Sequence, residues 1–191
     1  MARKPAKRGK GRKGARPSGR KRPVTRTAKA RKVSAVPQGH HTVTPNLVFK
    51  DAAAAIAFYE KALGAKELMR MPGPDGRGIS HAEIRIGDSI VYLNDESSMS
   101  SVRAPGPNPA TCSIVLYVPD CDALFQRAVA AGATQQMPVA DMFWGDRMGT
   151  VTDPFGVTWM IATHVKDLSE AELARAAEAA QAAAASQAAP T

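Results

Sequence analysis

Asn46-Leu47-Val48-Phe49, then Lys50-Asp51, then Ala52-Ala53-Ala54-Ala55-Ile56-Ala57-Phe58-Tyr59-Glu60-Lys61-Ala62-Leu63-Gly64 is the stretch that decides the fold. The first four residues read as a buried strand. Asp51 stands where a helix N-cap belongs, because its short carboxylate accepts from the orphan N–H groups of a first turn. Gly64 stands just past the last helical residue, where a left-handed closing turn is easiest without a Cβ. The same order returns in the second half. Ser113-Ile114-Val115-Leu116-Tyr117-Val118 is a strand, Asp120 a cap, Cys121 to Ala131 a helix and Gly132 its stop. Asp120 follows Asp51 by 69 residues, and Gly132 follows Gly64 by 68. Near-equal offsets mark a duplicated unit.

Hairpins follow each helix. After Gly64 come Ala65 to Met71, Ile79 to Ile86 and Ser89 to Asn94, separated by Pro72-Gly73-Pro74-Asp75-Gly76 and Gly87-Asp88. After Gly132 come Thr134 to Val139, Trp144 to Thr152 and Val157 to Thr163, with a turn at Asp153-Pro154-Phe155-Gly156. This punctuation predicts antiparallel strands. The expected class is therefore α+β, with two βαβββ modules at residues 42–95 and 110–165 of a globular region 41–165. Glu96 to Pro109, rich in Ser and Pro, joins them as a loop.

Three motifs carry a family resemblance. They are Phe58-Tyr59-Glu60-Lys61-Ala62-Leu63-Gly64-Ala65, Ile86-Gly87-Asp88-Ser89, and Gly149-Thr150-Val151-Thr152-Asp153-Pro154-Phe155-Gly156. The region resembles the vicinal oxygen chelate superfamily, which includes glyoxalase I, extradiol dioxygenases and the fosfomycin- and bleomycin-resistance proteins. Phe143-Trp144-Gly145-Asp146-Arg147 and Val157-Thr158-Trp159-Met160 look like its PhnB-like branch. The resemblance implies a cupped mixed sheet around a ligand cavity, with helices on the outer face.

It also implies four positions for a divalent metal, on the first and last strands of each module. Here they fall on Thr44, Tyr92, Ser113 and Met160. The family pattern has His, Gln or Glu at these places. Neutral hydroxyls, a phenol with a pKa near 10 and a thioether do not replace the water lost by a zinc, iron or manganese ion. The expectation is no metal and no cofactor.

Strand alternation then sets a candidate cavity face. It takes in Thr44, Asn46, Tyr92, Asn94, Ser113, Tyr117 and Met160, with Val48, Ile90, Val115, Thr158 and Ala162. His81 and Glu83 share one face of their strand with Arg85, either lining the cavity or facing water. Trp144, Asp146 and Arg147 fall in or beside a loop over the mouth, as ligand clamps or as a structural hairpin with an ion pair. His40, His41 and His164 flank the domain and suggest no shared metal. Cys112 and Cys121 read as small fillers in a reducing cytoplasm.

Charge divides the chain differently. Fifteen of its 26 Lys and Arg lie between Met1 and Lys32, and the first acidic residue is Asp51. The other eleven stand against 17 acidic side chains, a net of −6 beneath the overall +9. Residues 1–38 have almost no large apolar side chains, and Pro5, Pro17 and Pro23 block helix, so a disordered arm is expected. Residues 3–32 suit non-specific phosphate contacts on DNA or RNA. They would equally serve as a solvated tail, or reflect start-site choice. Two cysteines make no disulfide framework, and no run approaches the roughly 18 apolar residues of a membrane span.

In residues 166–191, Ser169 and Glu172 form a capping box, with Leu168 and Leu173 as a hydrophobic staple, ahead of an Ala-rich helix that frays toward Pro190. The functional expectation is a metal-free small-molecule-binding protein, cytoplasmic and homodimeric. Its rivals are a glyoxalase-type lyase, isomerase or dioxygenase with a non-standard site, against which the missing donors speak, and a binding protein tethered to nucleic acid by its arm.

Overall fold

The computed structural model describes residues 34–74, 76–106 and 112–188. In chain order the elements are β1 (Asn46–Phe49), α1 (Ala52–Leu63), β2 (Lys66–Pro72), β3 (Ile79–Ile86), β4 (Ser89–Asp95), β5 (Ile114–Tyr117), α2 (Cys121–Ala131), β6 (Thr134–Asp141), β7 (Asp146–Thr152), β8 (Thr158–His164) and α3 (Glu170–Ala188). The α+β class and the two βαβββ modules stand. Of the expected basic arm, residues 1–33 lie outside the described residues. Residues 34–38 are described, and the His40 N–H donates to the Pro37 carbonyl at 3.2 Å.

The caps act as their chemistry requires. The Asp51 side chain accepts from the Ala54 N–H, and Asp120 from that of Ala123, both at 2.9 Å. Gly64 and Gly132 close the helices at φ 67° and 118°. A second pair of equivalent contacts ties each helix start to its last strand. Asp95 on β4 accepts from the Ala52 N–H at 2.6 Å, and Thr163 Oγ1 on β8 from the Cys121 N–H at 2.9 Å. Two side chains of different chemistry thus satisfy the same orphan donor in the two modules.

The strands form two four-stranded mixed sheets, ordered β1-β4-β3-β2 and β5-β8-β7-β6. In each, the first strand runs parallel to the last and the other pairs are antiparallel. The registers match as well: Asn46 faces Tyr92 and Val115 faces Met160. β7 begins at Asp146, two residues later than the alternation suggests. Gly145, at φ 98°, takes up a turn in which its N–H donates to the Met142 carbonyl.

One core lies under both helices, and α1 packs on α2. It includes Phe49, Ile56, Tyr59, Ile84 and Leu93 from the first module and Phe125, Trp159 and Ile161 from the second. Each such burial stabilises by about 1.5–3 kcal/mol. Asp153, 4% exposed, is buried beside this core. Asp153 accepts from the Tyr59 hydroxyl at 2.7 Å, the Trp159 indole at 3.0 Å and the Phe155 and Val157 N–H groups at 2.9 Å. Burial, and then the adjacent carboxylate, push the Tyr59 hydroxyl far above the ordinary phenol range. Gly149 lets β7 approach α2, since a Cβ there would lie 2.7 Å from the Phe125 ring.

α3 starts with the expected capping box. The Ser169 N–H donates to Glu172 at 2.9 Å, and the Glu172 N–H returns to Ser169 Oγ at 3.4 Å. The Glu172 carboxyl is held below its usual range by hydrogen bonds from Ser169. Among the described residues, no helix is long and apolar enough to cross a membrane.

Candidate functional site

Helices cover one face of each sheet and leave the other free. On the first sheet, Asn46, Tyr92, Glu83 and Met69 form one row across β1, β4, β3 and β2. Cross-strand partners point to the same side of a sheet, so this row shares the free face. Asn94 lies one step along β4, with its amide donating to the Asp95 carbonyl at 2.9 Å. His81 packs edge-on against the Tyr92 ring, with centroids 4.8 Å apart.

The leading segment folds over this face. His40 Nε2 lies 2.8 Å from the Tyr92 hydroxyl, and the two rings meet edge-on at 5.6 Å. His40 Nδ1 contacts the Gln38 carbonyl at 3.4 Å. A carbonyl only accepts, so the tautomer protonated at Nδ1 satisfies this contact and leaves Nε2 to receive the Tyr92 O–H. Glu83 Oε1 lies 3.5 Å from His81 Nε2 and 4.0 Å from His40 Nε2. A cavity of about 380 Å³ runs between this segment and the sheet, lined by Val36, Pro37, His40, His41, Thr44 and Tyr92.

The second sheet's free face is built around Asp146, 5% exposed. Asp146 accepts from the Tyr117 hydroxyl at 2.8 Å, the Trp144 indole at 2.9 Å and His164 Nδ1 at 2.7 Å. His164 Nε2 reaches Asp167 at 3.0 Å. With a carboxylate on each nitrogen, the imidazole suits the doubly protonated form, and these hydrogen bonds raise its pKa. Burial alone would raise the Asp146 pKa, but hydrogen bonds from His164, Tyr117 and Trp144 outweigh it and hold the carboxyl below its usual range. Along the same face, Ser113 Oγ donates to Met160 Sδ at 3.4 Å.

The predicted residues therefore separate into two groups. His81, Glu83, Tyr92, Asn46 and Asn94 gather on the first sheet with Thr44 at its edge, and Ser113, Tyr117, Trp144, Asp146 and Met160 on the second. Arg147 joins neither. It follows Asp146 on β7 and so faces the helix side, where it binds Asp122 at 2.7 Å and Asp141 at 3.0 Å. Its ion pairs are with these two, not with Asp146. Cys121 is buried, but Cys112 is exposed. Sequence reasoning passed over His40 and His164, because their partners lie 52 and 18 residues away. Nothing local marks either contact.

The donors at the four metal positions of the resembled family are already committed. Tyr92 donates to His40, Ser113 to Met160 and Thr44 to the His41 carbonyl at 3.5 Å. None of them is an imidazole or a carboxylate, so this set does not fit a divalent metal. Among the described residues, no three His, Cys, Asp or Glu side chains are grouped to hold a metal ion.

β1 and β5 are edge strands, each paired on one side only. Val43 and Pro45, which lead into β1, share with Val115 and Tyr117 of β5 a cleft of about 600 Å³.

Residues 38–161 match the sequence profile of the Glyoxalase/Bleomycin resistance protein/Dioxygenase superfamily. The chain is 45% identical over 141 residues to an uncharacterized protein of Mycobacterium bovis, covering 70% of this chain and 90% of that one. Among solved structures it is similar to TioX from Micromonospora, with 29% identity, a TM-score of 0.53, and coverage of 64% of this chain and 98% of that one. A putative 3-demethylubiquinone-9 3-methyltransferase, a PhnB protein from Bacillus cereus, shares the fold at 17% identity and a TM-score of 0.51, over 64% of this chain and 99% of that one.

Proposed function

Because this chain belongs to the Glyoxalase/Bleomycin resistance protein/Dioxygenase superfamily, we propose that it binds a small organic molecule on its free sheet faces, without a family-type metal centre. One observation carries this reading. Thr44, Tyr92, Ser113 and Met160 have their polar groups directed at protein partners rather than at a common point. Two of them, Thr44 and Tyr92, border a cavity of ligand size shared with Val36, His40 and His41.

The test pairs elemental analysis of untagged protein with thermal unfolding. A molecule that binds only the folded state adds about 2.7 kcal/mol of stability at a hundred times its Kd. Small organic molecules are expected to raise Tm, and zinc, nickel, iron or manganese to leave it unchanged. One tightly held equivalent of such a metal, with metal-dependent turnover, would favour instead the lyase, isomerase or dioxygenase reading.

The same proposal places the protein in the cytoplasm, where Cys112 and Cys121 stay reduced, and pairs it with a second copy of itself. The edge strands β1 and β5, with Val115 and Tyr117 45% and 63% exposed, support the pairing. Light scattering that gives a monomer mass at micromolar concentration would end that part of it.

A separate observation favours a nucleic-acid partner for residues 3–32: fifteen Lys and Arg fall within them, and no acidic residue precedes Asp51. Contacts to about six to ten phosphates would weaken binding roughly 10³–10⁵-fold between 50 and 200 mM salt. A chain shortened to begin at Ser34 should lose that binding. Equal retention by both chains would remove the arm from the account.

A further inference from the structure

We infer that the free face of the first sheet seats an organic ammonium group, with Glu83 as counter-ion and Tyr92, His40 and His81 as walls. The inference rests on the small-molecule reading above and adds the chemical class of the ligand.

The Glu83 side chain is 22% exposed and has lost much of its water. Its neighbours do not replace that water well. The two imidazole nitrogens stand 3.5 and 4.0 Å from Oε1, long for hydrogen bonds. A carboxylate in this state gains most from a charged N–H donor.

The surroundings suit a cation bonded to carbon. Tyr92 commits its hydroxyl to His40, and its ring meets both imidazoles in T-shaped contacts, with centroids 5.6 and 4.8 Å apart. Met69 pairs with Glu83, and Met71 with His81, across β2 and β3. Both thioethers are exposed on this face and offer polarizable surface. Aromatic faces around a carboxylate recognise alkylammonium ions by combining a cation–π contact with charge pairing.

Arg85 sets the orientation. It follows Glu83 by two residues, on the same face, about 6.6 Å along the strand. It is exposed and makes no hydrogen bond or ion pair among the described residues. Its charge repels a second cation at that end and attracts an oxygen acceptor. The class is therefore an amine whose body carries carbonyl or carboxylate oxygen some distance from the nitrogen.

Three probes of one shape separate the possibilities: benzylammonium, benzyl alcohol and benzoate. They are titrated into the full chain at pH 8, above the ordinary imidazole range near 6.5, while the histidine ring NMR signals are followed. Benzylammonium is expected to shift the His40 and His81 signals and to saturate with a Kd on the order of millimolar. Glu83→Gln should weaken it at least about tenfold. Tyr92→Leu removes the ring and should weaken it at least about threefold. Unfolding midpoints of both variants confirm that the sheet is intact.

Benzoate or benzyl alcohol shifting the same signals as strongly, or Glu83→Gln binding like the parent, overturns the ammonium seat while leaving the small-molecule reading standing. Silence from all three probes also overturns it, and the wider reading is then judged by its own unfolding assay.

Discussion

Asp153 takes four hydrogen bonds from donors in both modules while 4% exposed. Removing one donor costs little beside removing the acceptor. Tyr59→Phe leaves three bonds and is expected to cost about 1–2 kcal/mol. Asp153→Ala strands two side-chain and two backbone donors and should cost about 3–5 kcal/mol. Urea midpoints at constant slope check both, and equal losses would show that Tyr59 carries the whole contact.

His164 gives a second prediction at this scale. Its folded pKa is raised, first by Asp146 and then by Asp167. The folded state therefore holds the proton more tightly than the unfolded chain does. The resulting stability is fully present below the unfolded value near 6.5, and is lost as pH rises through the folded pKa. Trp144 donates to the same Asp146, so its fluorescence should report the change. His164→Asn is expected to flatten the dependence between pH 5 and 9, roughly the range over which a raised imidazole titrates. An unchanged profile would assign the titration elsewhere.

At the scale of elements, α3 offers a separable test. It stands mostly exposed and begins with a reciprocal capping box. Ser169→Ala should cost about 1 kcal/mol of helix stability. Circular dichroism should lose helical signal while the urea midpoint of the sheets stays put. In contrast, Gly149→Ala forces a methyl into the Phe125 ring and should lower the global midpoint by about 1–3 kcal/mol.

Element ends show what a sequence can convey. α1 and α2 begin and end at the residues their caps announce, because N-cap and left-handed glycine chemistry is local. β7 starts late because Gly145 turns the chain, a choice tied to contacts with the distant Lys166 carbonyl, which a Cβ would strike. Alternation put Tyr92 and Met160 on one candidate face and left Glu83 between cavity and water. Applied strictly, it would also have sent Arg147 opposite Asp146. His40 had no periodic partner to betray it, since its position depends on a 52-residue separation.

For the whole molecule, net charge is a poor guide to the domain. The +9 of the chain hides a −6 body, and the body's free faces are selected by local groups. Glu83 and Arg85 stand two residues apart with opposite charge, and Asp146 is offset by His164. For the nucleic-acid partner proposed above, raising salt from 50 to 200 mM should erode retention steeply. Binding of a small ligand at a half-buried site such as Glu83 should respond only weakly to it. Parallel loss of both would overturn the weak salt dependence expected at Glu83.

The matched caps 69 residues apart give this chain its own internal calibration. Asp51→Ala and Asp120→Ala delete the same 2.9 Å bond in two settings that share temperature, solvent and unfolded chain. Their difference isolates tertiary context, a quantity usually blurred by comparing separate proteins. Asp95 and Thr163 extend the comparison, since one helix start is held by a charged acceptor and its twin by a neutral hydroxyl. A single polypeptide can thus measure how much a backbone hydrogen bond gains from charge.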